Sequence, residues 1–114
     1  MIIERTYESK QVQQLPVETH ICYSYMDGDR IIMHDSTQVP WHVRRQVAKI
    51  LNVKQNKVHI VKERVGGGYG SKQDILLEDV CAWATYTTGV RSISTILVKK
   101  SSFVTRLVTL QKSR

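Results

Sequence analysis

The sequence predicts an α+β fold built as a β-hairpin, a helix, a strand, a glycine-rich loop and a second helix. Three observations carry this reading. Two segments alternate polar and apolar residues across an Asp-Gly turn, and two others repeat apolar residues at helical spacing. Between a strand-patterned stretch and the second helix lies Val65-Gly66-Gly67-Gly68-Tyr69-Gly70-Ser71-Lys72-Gln73-Asp74, the most informative run of the chain.

Residues 1–17 are polar, with Gln11, Gln13 and Gln14 ahead of Pro16, and form a lead-in segment. Thr19 to Met26 alternates as a strand with Ile21, Tyr23 and Tyr25 on one side, and Asp27-Gly28 supplies the positive-φ turn into a second strand, Arg30 to Asp35. Pro40 suits a first helical turn because its φ is preset and its missing N–H is not needed there. Val43, Val47, Ile50 and Leu51 then recur at helical spacing through Asn52, with Arg44, Arg45 and Lys49 as a solvated face. Lys57 to Lys62 alternates as a half-buried strand. Asp74 to Thr87 reads as a helix whose early Glu78 and Asp79 complement the dipole. Its expected core stripe is Ile75, Leu76, Val80, Trp83 and Ala84, and Gly89 is its expected C-cap.

A chain of 114 residues makes one small domain at most. No apolar run reaches the roughly 20 residues of a membrane span, and Met1-Ile2-Ile3-Glu4-Arg5 lacks a signal-peptide core. A cytoplasmic setting is the expectation. Cys22 and Cys81 are too far apart for a CxxC clip and read as buried small hydrophobes. His20, His34, His42 and His59 share no metal-ligand spacing, so no metal site is assigned to them. The net charge of +7 raises the possibility of nucleic acid, but its distribution argues otherwise. From Val90 onward six basic residues stand without an acidic one, while residues 1–89 carry 11 basic and 10 acidic groups. Phe103 is the single aromatic in that basic tail, too few to stack on bases.

Glycines at 66, 67, 68 and 70 permit positive φ and close approach of a ligand to the main chain. Strand, glycine loop and helix in that order form an arrangement suited to anions at a helix N-terminus. Two familiar motifs fail here. The P-loop needs Gly before and Ser or Thr after its lysine, yet Lys72 stands between Ser71 and Gln73. The dinucleotide fingerprint needs a third glycine where Ser71 stands. Lys72 reads as a solvated or capping residue. From pattern alone the loop is a ligand cradle or a structural turn in about equal measure, and a small module gripping an anion or nucleic acid through loop and tail is the alternative reading.

Taken together, Glu18-Thr19-His20-Ile21-Cys22, Ser36-Thr37-Gln38, Asn56-Lys57-Val58 and Gly66 to Asp74 resemble, in order and separation, the molybdenum-cofactor-binding (large) subunit of the xanthine dehydrogenase and aldehyde oxidoreductase family. The resemblance covers Glu18 to Gly89, a partial molybdopterin-binding domain, so the chain reads as a truncated fragment. It implies a molybdenum–molybdopterin cofactor, with Gln38 hydrogen-bonding an oxygen ligand of the metal. It also implies that main-chain N–H groups of Gly68, Tyr69 and Gly70 support the cofactor, and that Gln73 stands at a substrate-binding position. Tyr69 replaces the family's usual phenylalanine. Gln73 replaces the glutamate of purine-oxidising members and carries no charge. Family enzymes hydroxylate a heterocycle or an aldehyde with oxygen from water, using iron–sulfur and FAD partner subunits or domains. Their base glutamate lies beyond the matching motifs, so no catalytic residue is assigned and the fragment is expected to be inactive by itself.

The basic tail, residues 90–114, has a candidate cause in the coding sequence. A family-like continuation (Thr-Gly-Arg-Pro-Val-Tyr-Gln-Tyr-Tyr-Thr-Arg-Glu-Glu-Glu-Phe) can be encoded so that deleting one base just after the glycine codon reads Gly89-Val90-Arg91-Ser92-Ile93-Ser94-Thr95-Ile96-Leu97-Val98-Lys99-Lys100-Ser101-Ser102. Glutamate codons shifted by one base read as lysine and serine, which turns an acidic stretch basic. A β-hairpin rich in Ile, Val, Thr and Ser over Ser92 to Leu110 is the competing expectation.

Overall fold

A computed structural model describes residues 4–10, 16–98 and 104–111, so Gln11, Gln13 and Gln14 of the lead-in lie outside the described residues. Strands β1 (Ile21–Asp27) and β2 (Arg30–Asp35) pair antiparallel, and Gly28 in their turn takes φ +58°, as the Asp-Gly dipeptide predicts. Helix α1 (Pro40–Ile50) begins on its proline, while the Thr37 hydroxyl accepts the Val39 N–H just ahead of it at 3.1 Å. The helix stops short of the expected Asn52 because that residue adopts φ +53°, the left-handed conformation of a helix end. A 3₁₀ turn, Gln55–Lys57, then leads into β3 (Val58–Lys62), which lies parallel to β2.

The glycine loop follows β3, and α2 (Glu78–Thr88) follows the loop only after residues 71–77. The expected start at Asp74 is therefore too early. The Glu78 carboxylate accepts the N–H groups of Leu76 and Leu77 at 2.8 and 2.9 Å, and this ties the chain into a non-helical entry. Gly89 caps the far end at φ +67°, its N–H bonded to the Thr85 carbonyl at 2.9 Å. Beyond it β4 (Arg91–Val98) pairs antiparallel with β1, and β5 (Val104–Gln111) pairs with β4. The sheet order is β3-β2-β1-β4-β5.

The core lies between the helices and one sheet face, where Cys22, Ile31, Met33, Val58 and Ile96 meet Val43, Val47, Ala48, Leu77, Cys81 and Ala82. The expected stripe of α2 is rotated, while that of α1 holds at Val43, Val47 and Leu51 and fails at Ile50. Along α2 the buried residues are Glu78, Cys81, Ala82 and Thr85, whereas Trp83 is 58% exposed and Leu76 is also exposed. Small residues let α2 approach β1 closely enough for the Ser24 hydroxyl to bond Thr85 Oγ1 at 2.7 Å and the Cys81 carbonyl at 3.0 Å. Along α1, Ala48 takes the inward position and Ile50 points outward. Both cysteines are buried and free, as expected. On the opposite sheet face Tyr23, Tyr25 and His34 form a ring cluster, with the Arg91 guanidinium 5.8 Å from the Tyr25 centroid.

Candidate cofactor site

Strand β2 delivers Ser36-Thr37-Gln38 to its C-terminal end, and the glycine loop returns to the same end after the parallel β3. The two stretches are sewn together by main-chain contacts. The Gln38 N–H donates to the Lys72 carbonyl at 2.9 Å, and the Thr37 hydroxyl donates to the same carbonyl at 3.4 Å. A Cβ built on Gly68 would stand 2.7 Å from Gln38 Oε1 and 2.9 Å from its Cδ. The glutamine amide therefore rests on bare main chain, in space that any side chain at 68 would take.

The loop itself is a tight turn. Gly67, Tyr69 and Gly70 take φ of +112°, +47° and +82°. Ser71 returns both its N–H (2.8 Å) and its hydroxyl (2.6 Å) to the Gly68 carbonyl. Tyr69 and Gly70 donate no main-chain N–H to another described residue, and open space surrounds the Gly70 Cβ position. Tyr69 is 79% exposed, so its hydroxyl has water as a partner. Gln73 is exposed on the segment that leaves the loop. Because residues 71–77 separate the loop from α2, the expected delivery of anions to a helix N-terminus is corrected: the donors here are the amides of the turn.

The model of the molybdopterin cofactor-binding domain matches residues 1–108. The chain belongs to this family. This molybdopterin-binding domain is 71% identical over 89 residues to the probable hypoxanthine oxidase XdhD of Escherichia coli K12, covering 78% of the chain and 9% of that relative. It is 32% identical over 103 residues to the xanthine dehydrogenase molybdenum-binding subunit of Escherichia coli O157:H7, covering 90% and 14%. Among solved structures it superposes on the aldehyde oxidoreductase of Desulfovibrio gigas with a TM-score of 0.62 at 17% identity, over 79% of the chain and 12% of that protein. At that identity the likeness speaks for the fold. The chain spans about a tenth of the length of these relatives.

The residues present fit the cofactor this family is named for. Main-chain amides at Tyr69 and Gly70 that find no acceptor among the described residues, a carboxamide at Gln38 and the missing side chain at Gly68 give a donor-rich, sterically open cradle. Lys72, expected to be solvated or capping, is instead 1% exposed and paired with Glu18. Sequence reasoning passed over Asp35 and read Glu78 only as a complement to the helix dipole; the two are buried side by side, each 3% exposed. Burial, the neighbouring Glu78 charge and the hydrogen bond to Glu78 push the Asp35 carboxyl up to about 8. The signal available was a charged residue at the inward register of an otherwise apolar strand.

Gly68→Ala is expected to change global stability by less than about 1 kcal/mol, because the atoms in the way belong to a flexible side-chain end. It is expected to displace the Gln38 amide. Comparing urea midpoints with the Gln38 side-chain NMR shift separates the two effects.

Proposed function

We propose that this chain is a fragment of the molybdopterin-binding catalytic subunit of a molybdenum hydroxylase of the xanthine dehydrogenase and aldehyde oxidase type, inactive by itself. The observation that carries the reading is the convergence of the Gln38 amide on the Gly68 main chain beside the free Tyr69 and Gly70 amides. In this reading Gln38, Gly68, Tyr69 and Gly70 hold the cofactor through hydrogen bonds, and the preset loop means little ordering is needed on binding. When bound, the molybdenum–molybdopterin supplies the oxidative chemistry by which a ring or aldehyde carbon is hydroxylated with oxygen from water. Gln73 faces the substrate as an uncharged donor and acceptor, which suits a neutral heterocycle or aldehyde.

Iron–sulfur and FAD subunits or domains complete the electron path in the intact enzyme, and the setting is cytoplasmic. Among the described residues no helix is long and apolar enough to cross a membrane. The anion- or nucleic-acid-binding alternative is not favoured, since family membership accounts for the loop. Purified chain loaded with molybdopterin is expected to retain pterin, read by its fluorescence after release, and to show no oxidation of hypoxanthine or aldehydes. Turnover by the isolated chain would refute its inactivity, and absence of pterin would refute the cofactor role.

Residues 90–114 are proposed to be read out of frame. One observation supports this, against a family model that runs on to residue 108. Ser92 and Ser94 occupy buried positions of β4, and the Ser94 hydroxyl is left without a partner there, a poor choice for a strand facing a helix. The gene's nucleotides around Gly89 decide the matter: a single inserted base must restore a family-like continuation.

A further inference from the structure

Lys72 is held at both ends. Its carbonyl receives Gln38 and Thr37, as described, and its ammonium, removed from solvent, pairs with the Glu18 carboxylate ahead of β1. The same carboxylate oxygen, Glu18 Oε2, accepts the Gly66 N–H at 2.7 Å where the loop begins. Gly66 leaves room for this contact, since a Cβ there would lie 3.1 Å from Glu18 Cβ. His20 Nε2, two residues further on, adds a bond to the Ser71 carbonyl at 2.8 Å. One carboxylate thus closes the loop into a ring, entry at Gly66 and exit at Lys72, and the exit carries Gln38.

We infer that Glu18 and Lys72 are positioning residues, a buried ionic clasp that sets the spacing between the Gln38 amide and the amides of Tyr69 and Gly70. The meaning of that spacing rests on the cofactor reading; the clasp itself does not. The two partners differ in how they tolerate loss. Glu18 is 30% exposed and can turn to water when Lys72 is removed. Lys72 cannot, so losing Glu18 strands a buried ammonium whose pKa burial already lowers.

Three variants test this in the full chain. Lys72→Met keeps the length and buried volume of the side chain and removes its charge. Glu18→Gln keeps an acceptor for Gly66 and removes the counter-charge. The double variant removes both charges, which keeps the test alive where Glu18→Gln fails to fold. Two readouts are taken: amide hydrogen exchange of the unliganded chain and pterin retention. Lys72→Met and the double variant are expected to exchange the Gly66 and Gln38 amides roughly tenfold faster than the parent, with β1 and β2 core amides unchanged. Pterin retention is expected to fall with them. Unchanged exchange at Gly66 and Gln38 would overturn the clasp, as would equal acceleration across the core amides, which is the mark of a merely structural pair. Faster loop exchange in variants of a parent that holds no pterin would uphold the clasp and overturn the cofactor reading alone.

Discussion

Asp35→Asn is expected to make this domain more stable than its parent near pH 8, and to leave the two nearly equal near pH 3.5. Asp35 ends β2 on the buried face, packed against Glu78 from α2, with Cys81 of α2 and Cys22 of β1 as the other titratable neighbours. Its Oδ2 finds no donor, although the Ser36 N–H supports the charged form. Desolvation first, then repulsion by Glu78, raise the folded carboxyl from 3.8 to about 8.

The sign follows from proton counting. Between those values the folded chain holds a proton that the unfolded chain has released, so stability is full below pH 4 and declines until about pH 8. On the order of 2–4 kcal/mol is expected to be lost over that window from this one group. Asparagine copies the protonated form, donating to Glu78 at every pH, and so removes the slope. Urea midpoints of the two chains at pH 3.5 and pH 8 measure it; parallel profiles would contradict the proton held on Asp35.

Glu78→Ala is expected to destabilise by about 3 kcal/mol, because unsatisfied buried donors are costly at about 1–3 kcal/mol each. Helix α2 has no side-chain cap at Leu77, its N-cap residue; Glu78 itself reaches back to the N–H groups of Leu76 and Leu77. Removing its carboxylate leaves the buried Leu77 N–H without its acceptor, the part-buried Leu76 N–H reliant on solvent, and Asp35 alone in the core. Glu78→Gln keeps an acceptor, so its effect is expected to stay near 1 kcal/mol. Equilibrium urea unfolding orders the three chains. A Glu78→Ala midpoint equal to that of Glu78→Gln would remove the cap from the account.

The hairpin turn at Gly28, the proline start of α1 and the glycine end of α2 were legible because each depends on a local backbone preference. Faces were harder. Trp83 and Leu76 look like core residues by hydropathy, yet α2 lies so close to β1 that only Cys81, Ala82 and Thr85 fit between. The glycine run marked the loop as a candidate and the family resemblance added Gln38, but neither gave their contact, which depends on β3 running parallel to β2 and returning the chain to the same end. Lys72 was misread for a related reason. Its carboxylate partner, Glu18, lies just ahead of β1, a non-local pairing that no periodicity encodes. Asp35 stayed hidden because a carboxyl that keeps its proton behaves as a polar core residue, and the sequence shows only an acid.

The Gln38 carboxamide and the Gly68 main chain lie against each other. An isotope-labelled sample gives the most direct test: nuclear Overhauser contacts from the Gln38 side-chain amide. A strong contact to the Gly68 α-protons is predicted from the near-touching carboxamide and main chain. No such contact, with a Gln38 amide exchanging like that of a free glutamine, would contradict the account.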